Sequence, residues 1–282
     1  MLGFNGVLSP LFDTHCHLDA GEFDLDREAV IARAQAVGLG GLLIPAVHRS
    51  NFSVVRNMAH AMPIGAYAVG IHPLFVARSE RADLKVLAEF LEQHRDDPRL
   101  VAVGEIGLDF FVESIREGVA REEQIHFYRE QLALARAFDL PVLLHVRRSQ
   151  DELLKWLRRI PPTGGLAHAF NGSFQQAEQF IDLGFALGMG GALTFTRALQ
   201  IRRLATEQSL SNLVLETDAP DIGPSWLTKG QRNEPAEVAQ IAACLAQLRG
   251  VSVDVVINQT AQAAFNRLPK LAKIWPHPSV VI

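Results

Sequence analysis

The chain has only two cysteines, Cys16 and Cys244, in no framework or Cys-x-x-Cys pattern. That excludes a disulfide scaffold and a zinc ribbon, and it makes a reducing cytoplasm the expected location. Basic residues give no surplus, because the net charge is −4. Tight binding of long duplex DNA draws on phosphate neutralisation and ordinarily shows as a basic excess. Any nucleic acid handled here is therefore expected as a few nucleotides at an end, gripped by local arginines and metals. No apolar run is long enough to span a bilayer. Met1-Leu2-Gly3-Phe4-Asn5-Gly6 opens with no basic segment before a long apolar one, so neither a signal peptide nor a membrane partner is expected. A P-loop, a glycine fingerprint after the first strand, sequence repeats and linker-like boundaries are all missing.

What is present suits one large core. Of the 282 residues, 48% are hydrophobic, and short apolar runs alternate with amphipathic stretches. Strands are expected at about 10–14, 40–47, 65–71, 100–106, 141–146, 165–170, 185–190 and 213–217. The run at 185–190 is the weakest, since its glycines lower strand propensity. Helical patterns include Asp24 to Val37, Ala82 to His94, Arg121 to Phe138, Ser173 to Leu183, Pro235 to Leu248 and Val253 to Phe265. Ser173 suits an N-cap, Gly184 a stop, and Pro235 a first turn. Strands alternating with helices predict an α/β fold, a closed parallel (β/α)8 TIM barrel, as a single domain over 1–282. The barrel would occupy about 10–268, with a short, aperiodic C-terminal tail from Lys270.

Six of the ten histidines, His15, His17, His48, His72, His145 and His168, fall where predicted strands run out. Barrel active sites sit at those ends. His15 and His17 are two apart, roughly 6.6 Å along a strand, so both can face the mouth and share one metal while Cys16 faces away. Glu105 ends the fourth strand, and its two oxygens can bridge two cations about 3.5–4 Å apart. His145 and His168 suit the second metal, and Asp218 can bind the first and orient or deprotonate water. Asp109 is expected in the loop after Glu105, behind the ligands, and Glu216 as a deeper structural carboxylate. His72 can contact phosphate or leaving group, or be structural. His48 is more readily structural, and His60, His94, His126 and His277 read as ordinary residues. Lys85, Lys155, Lys229, Lys270 and Lys273 end no predicted strand, which leaves Glu105 rather than a carbamylated lysine as the bridge. Arg147, Arg148 and Arg232 are candidate anion contacts or solvated loop charges. Arg158-Arg159 and Arg202-Arg203 read as helix-surface charges.

These segments resemble the TatD family of metal-dependent hydrolases, and within it the YjjV-type bacterial members. The resemblance rests on Phe12-Asp13-Thr14-His15-Cys16-His17, Gly70-Ile71-His72-Pro73, Val103-Gly104-Glu105-Ile106-Gly107-Leu108-Asp109, Pro141-Val142-Leu143-Leu144-His145, His168-Ala169-Phe170-Asn171-Gly172, Leu215-Glu216-Thr217-Asp218-Ala219-Pro220 and Arg232-Asn233-Glu234-Pro235. It implies a distorted barrel of the amidohydrolase type, and it implies His15, His17, Glu105, His145, His168 and Asp218 as metal ligands. The implied activity is a metal-dependent deoxyribonuclease, including 3′→5′ exonuclease action on single-stranded ends. Val146, Phe110-Phe111 and Asn171 depart from the family's usual residues without removing a ligand.

The leading expectation is a phosphodiesterase on DNA ends or single-stranded DNA, using two divalent cations (zinc, manganese or magnesium) and Glu105, Asp218 and His72 as catalytic groups. An ester, amide or D-aminoacyl-tRNA deacylase on the same site is the alternative, because ligands alone do not choose between phosphorus and acyl carbon. A non-enzymatic metal-binding partner protein is the third.

Overall fold

The structure is a computed structural model that describes residues 10–275. His277 and the rest of the expected tail beyond Trp275 lie outside the described residues. The strands are β1 Leu11–Asp13, β2 Leu39–Pro45, β3 Gly65–Val69, β4 Leu100–Asp109, β5 Val142–Arg147, β6 Gly165–His168, β7 Phe185–Met189 and β8 Leu213–Leu215. They pair in parallel, in sequence order, from β1 to β8. The helices α1 Arg27–Ala36, α2 Phe52–Ala61, α3 Asp83–Gln93, α4 Gly118–Ala137, α5 Gln150–Arg159, α6 Phe174–Asp182 and α7 Leu199–Glu207 alternate with them. After β8 come α8 Val238–Arg249, α9 Val253–Arg267 and α10 Leu271–Ile274. This is the expected (β/α)8 barrel.

β1 and β8 are too short to zip together, so the barrel closes just past them. Leu215 O accepts from the Thr14 amide at 3.0 Å, His15 O from the Asp218 amide at 2.8 Å, and Ala219 O from the His17 amide at 2.8 Å. The expected extension of β8 to residue 217 is therefore shortened, and the segments that carry His15, His17 and Asp218 make the seam.

Strand alternation sorts the apolar residues into two cores. Phe12, Leu43, Ala66, Leu143, Leu166, Ala186 and Val214 fill the barrel interior. The opposite strand faces pack against the helices in the larger cluster. α9 and α10 close the interior at the end away from the histidines: Phe265 and Trp275 meet the Phe12 ring edge-on at centroid distances of 6.3 and 5.2 Å. The residues from Lys270 to Trp275, aperiodic in sequence, thus serve as part of a plug.

Local signals held at several ends. Ser173 Oγ accepts from the Gln176 amide at 3.1 Å, and Gln176 Oε1 accepts from the Ser173 amide at 2.9 Å, a capping box at the start of α6. Gly184 follows α6 with a left-handed φ of 87°. The glycines that weakened the seventh strand have a packing role. A Cβ at Gly188 would overlap the Glu216 carboxylate, so glycine there makes room for that side chain.

Candidate active site

Beyond Asp13 the chain stays extended, and Cys16 forms an isolated bridge with Ala219. Alternation therefore continues past the strand: Cys16 is buried in the outer core while His15 and His17 both turn inward to Glu105, His17 reaching the cavity wall. Their Nε2 atoms are 3.3 Å apart. Asp218 arrives from the other side of the seam with φ 57°, a left-handed turn that aspartate tolerates. Its Oδ1 is 3.6 Å from both nitrogens.

Glu105 lies within β4, not at its end, and is 1% exposed. The pairing register of β4 with β5 breaks between Val103 and Ile106, around this residue. Its two oxygens face two imidazole clusters. Oε2 is 3.1 Å from His15 Nε2 and 3.4 Å from His17 Nε2. Oε1 is 3.0 Å from His145 Nδ1, 3.3 Å from His72 Nε2 and 3.6 Å from His168 Nε2.

Contacts behind the rings set the tautomers of His145 and His72. β4 runs on to Asp109, so this residue ends the strand instead of lying in the following loop. Its Oδ2 is 3.1 Å from His145 Nε2. A carboxylate there draws the proton to Nε2 and leaves the Nδ1 lone pair to accept from His72 Nε2, 3.0 Å away. Glu216, as expected, sits deeper: its Oε1 accepts from the Ala169 amide at 2.6 Å and lies 3.5 Å from His168 Nδ1. His72 is oriented the other way round. Its Nδ1 accepts from the Leu74 amide at 3.1 Å, so the proton of the neutral ring sits on Nε2. Burial pushes His72 down to about 4, which keeps it neutral. His72 thus presents a donor to the site, whereas His145 presents a lone pair.

The donor set fits divalent cations. Two groups of side chains place free ligand atoms close enough to hold one: His15, His17 and Asp218; and His15, Glu105 and His168. His72, Glu105 and His145 cluster as closely, but His72 has its lone pair on the Leu74 amide and joins that group as a donor. Imidazole nitrogens and carboxylate oxygens suit zinc or manganese. His15 Nε2 faces His17 Nε2, Glu105 Oε2 and Asp218 Oδ1 at once, and one imidazole proton cannot satisfy all three. Burial pushes the Asp218 carboxyl up to about 6, although His168 and His17 pull it down. Glu105 is held well below the usual range because the surrounding histidines outweigh its burial.

The site opens into a cavity of about 1130 Å³. Arg147 and Arg148 are on its wall. Arg232 is not, and the expected anion contact is corrected there. Its guanidinium donates to Asp26 Oδ1 and Oδ2 at 2.7 and 2.9 Å, to Glu234 Oε1 at 2.7 Å and to the Glu22 carbonyl at 2.6 Å. These acceptors bind the loop before α1 to the segment after β8 and hold the guanidinium away from the cavity wall. His48 caps a turn, with Nδ1 2.9 Å from Ser50 Oγ, and takes a structural place.

Sequence reasoning missed the supports. Gln131 accepts from the Ile71 amide at 2.7 Å and donates to its carbonyl at 3.0 Å, holding the residue before His72. Gln124 accepts from the Asp109 amide at 2.9 Å. Both are buried on α4 beside Phe127 and Tyr128. Their signal was available: two glutamines seven apart, on the apolar face of an amphipathic helix.

A family model described as TatD related DNase matches residues 12–268. The metal-dependent hydrolase YjjV of Escherichia coli K12 is 41% identical over 92% of this chain and 96% of its own. The 3′-5′ ssDNA/RNA exonuclease TatD of Klebsiella pneumoniae is 32% identical over 89% of this chain and 94% of its own. The crystal structure of E. coli YjjV superposes with a TM-score of 0.85 at 37% identity, covering 92% of this chain and 98% of that one. With this barrel and this cluster of donors, the chain belongs to the TatD family of metal-dependent hydrolases.

Proposed function

We propose that this protein is a two-metal phosphodiesterase that removes nucleotides from DNA ends, acting 3′→5′ on single strands. The observation that carries the two-metal reading is the division of Glu105. Oε2 serves the cluster of His15, His17 and Asp218, and Oε1 serves the cluster of His145 and His168. Divalent cations held there lower the pKa of water and polarise a phosphoryl centre. Asp218 orients the attacking water and takes its proton. His72 donates its Nε2–H to a phosphate oxygen as charge develops. Asp109 fixes the His145 ring, and Glu216 stands 3.5 Å behind His168 Nδ1. Arg147 supplies charge at the rim for phosphate oxygens. The family relative named as an ssDNA/RNA exonuclease supports this choice of substrate.

The test is digestion of a 5′-labelled single-stranded oligonucleotide by metal-stripped protein with magnesium, manganese or zinc restored. The expected result is a metal-dependent ladder shortening from the 3′ end, absent in Glu105→Ala. No cleavage with metal demonstrably bound, together with turnover of ester or aminoacyl substrates, overturns it.

A further inference from the structure

The cavity wall is electrically two-sided. After β1 and β8 it carries Asp19, Glu22 and Asp221, and at the ends of β4 and β5 it carries Phe111, Arg147 and Arg148. Because the strands follow one another around the barrel, β4 and β5 stand across the mouth from β8 and β1. Arg147 and Arg148 are the only arginine or lysine side chains among the described residues of the wall. A polyanion is therefore attracted to one side and repelled from the other.

The basic side has a definite architecture. Both guanidinium groups lie over the Phe111 ring, 4.0 Å from its centroid for Arg147 and 4.6 Å for Arg148. Phe111 is nevertheless 42% exposed. Its backbone is pinned, since Asp109 Oδ1 accepts from the Phe111 amide at 2.8 Å and the Arg147 carbonyl accepts from the Phe110 amide at 2.9 Å. Arg147 reaches Asp109 only at 3.8 Å, and no carboxylate pairs with Arg148 among the described residues. An exposed aromatic on fixed backbone, flanked by two cations with charge to spare, matches what unpaired nucleotides offer. Bases stack on rings or on guanidinium planes, and phosphates take the charge.

We propose that Phe111, Arg147 and Arg148 form a subsite for single-stranded nucleic acid, in which a base stacks on this ledge and the arginines hold the phosphates beside it. The acidic wall opposite leaves no favourable path for the strand beyond the metal-ligand cluster, so an end enters from the β4–β5 side and stops at Glu105. The subsite rests on the phosphodiesterase reading above and adds where the rest of the strand runs.

The experiment compares kcat/KM for a single-stranded pentathymidylate with that for thymidine 5′-(p-nitrophenyl phosphate), which has no neighbouring base. Wild type is expected to favour the longer substrate. Phe111→Leu is expected to reduce that preference about tenfold, and Phe111→Tyr, which keeps the π-face, to retain it. Arg148→Ala is expected to lower the slope of log affinity against log salt by about 0.7. Circular dichroism and thermal melting verify that each variant is folded. An undiminished preference in folded Phe111→Leu overturns the stacking role, and an unchanged salt slope in Arg148→Ala overturns the phosphate contact. A wild type that cleaves neither compound overturns the phosphodiesterase reading and this subsite together. One that cleaves both without preference overturns the subsite alone.

Discussion

The Thr217 hydroxyl donates to Asp13 Oδ2 at 2.6 Å, across the seam where the barrel closes. Asp13 Oδ1 also accepts from the Thr217 amide at 3.0 Å and the His15 amide at 3.2 Å. One fully buried carboxylate thus fastens the loop bearing His15 and His17 to the loop bearing Asp218. Thr217→Val keeps the shape and removes the hydroxyl. It should cost about 1–3 kcal/mol, the penalty for leaving a buried acceptor without its partner. It should also weaken metal affinity by about 10–100-fold, as lost supports behind ligands do. Urea titration and a competitive metal-binding assay check the two effects, and unchanged metal affinity would count against the fastening role.

Glu105→Ala removes the group facing both imidazole clusters. Turnover should fall by about a thousandfold or more, since loss of charge stabilisation at a metal centre is worth several kcal/mol. Metal content by elemental analysis should fall with it. Full activity in the metal-free variant would contradict the mechanism.

Stripping the metal should lower the melting temperature. A ligand present at a hundred times its Kd adds about 2.7 kcal/mol to the folded state. In a domain of this size each 1 kcal/mol moves Tm by about 2–4 °C. Chelator should therefore depress Tm by several degrees in wild type and hardly at all in Glu105→Ala, as scanning calorimetry can show.

Far from the site, Asp97 collects His60 Nε2 at 2.7 Å, the Tyr67 hydroxyl at 2.9 Å and the Arg99 amide at 2.9 Å. Burial alone would raise its carboxyl, but these donors outweigh burial and hold it below its usual value. A carboxylate depressed by folding contributes stability above its unfolded pKa, near 4, and loses that contribution as pH falls through the folded value. Asp97→Asn should cost about 1–3 kcal/mol at pH 7. The gap between variant and wild type should narrow as pH falls below 4. Urea melts at pH 7 and pH 3 decide it; a constant gap would exclude the carboxylate charge of Asp97 as the cause.

Most of the barrel was legible because its signals are local. Short continuous apolar runs, buried on both faces, caps such as Ser173 and stops such as Gly184 each act within a few residues. Histidines and carboxylates at strand ends also stood out, since those residue types are costly beside apolar runs unless they have partners. The strand ends were less legible. Asp109 extended β4 because it pairs with Arg147 on β5, and β8 stopped at Leu215 because the seam takes over the hydrogen bonding. Neither partner is near in sequence.

By itself the sequence determined the order of elements, the alternation that turns His15 and His17 one way and Cys16 the other, and the presence of metal-binding side chains. Only the tertiary structure decided how they are used. It put His72 forward as a donor by capping its Nδ1 with the Leu74 amide, and it aimed the His145 lone pair by placing Asp109 behind the ring. Arg232 went to Asp26 and Glu234, while Arg147 and Arg148 stayed on the cavity wall. Residue type sets which bonds a side chain can make, but the choice among them depends on which partners closure of the barrel brings within about 3 Å.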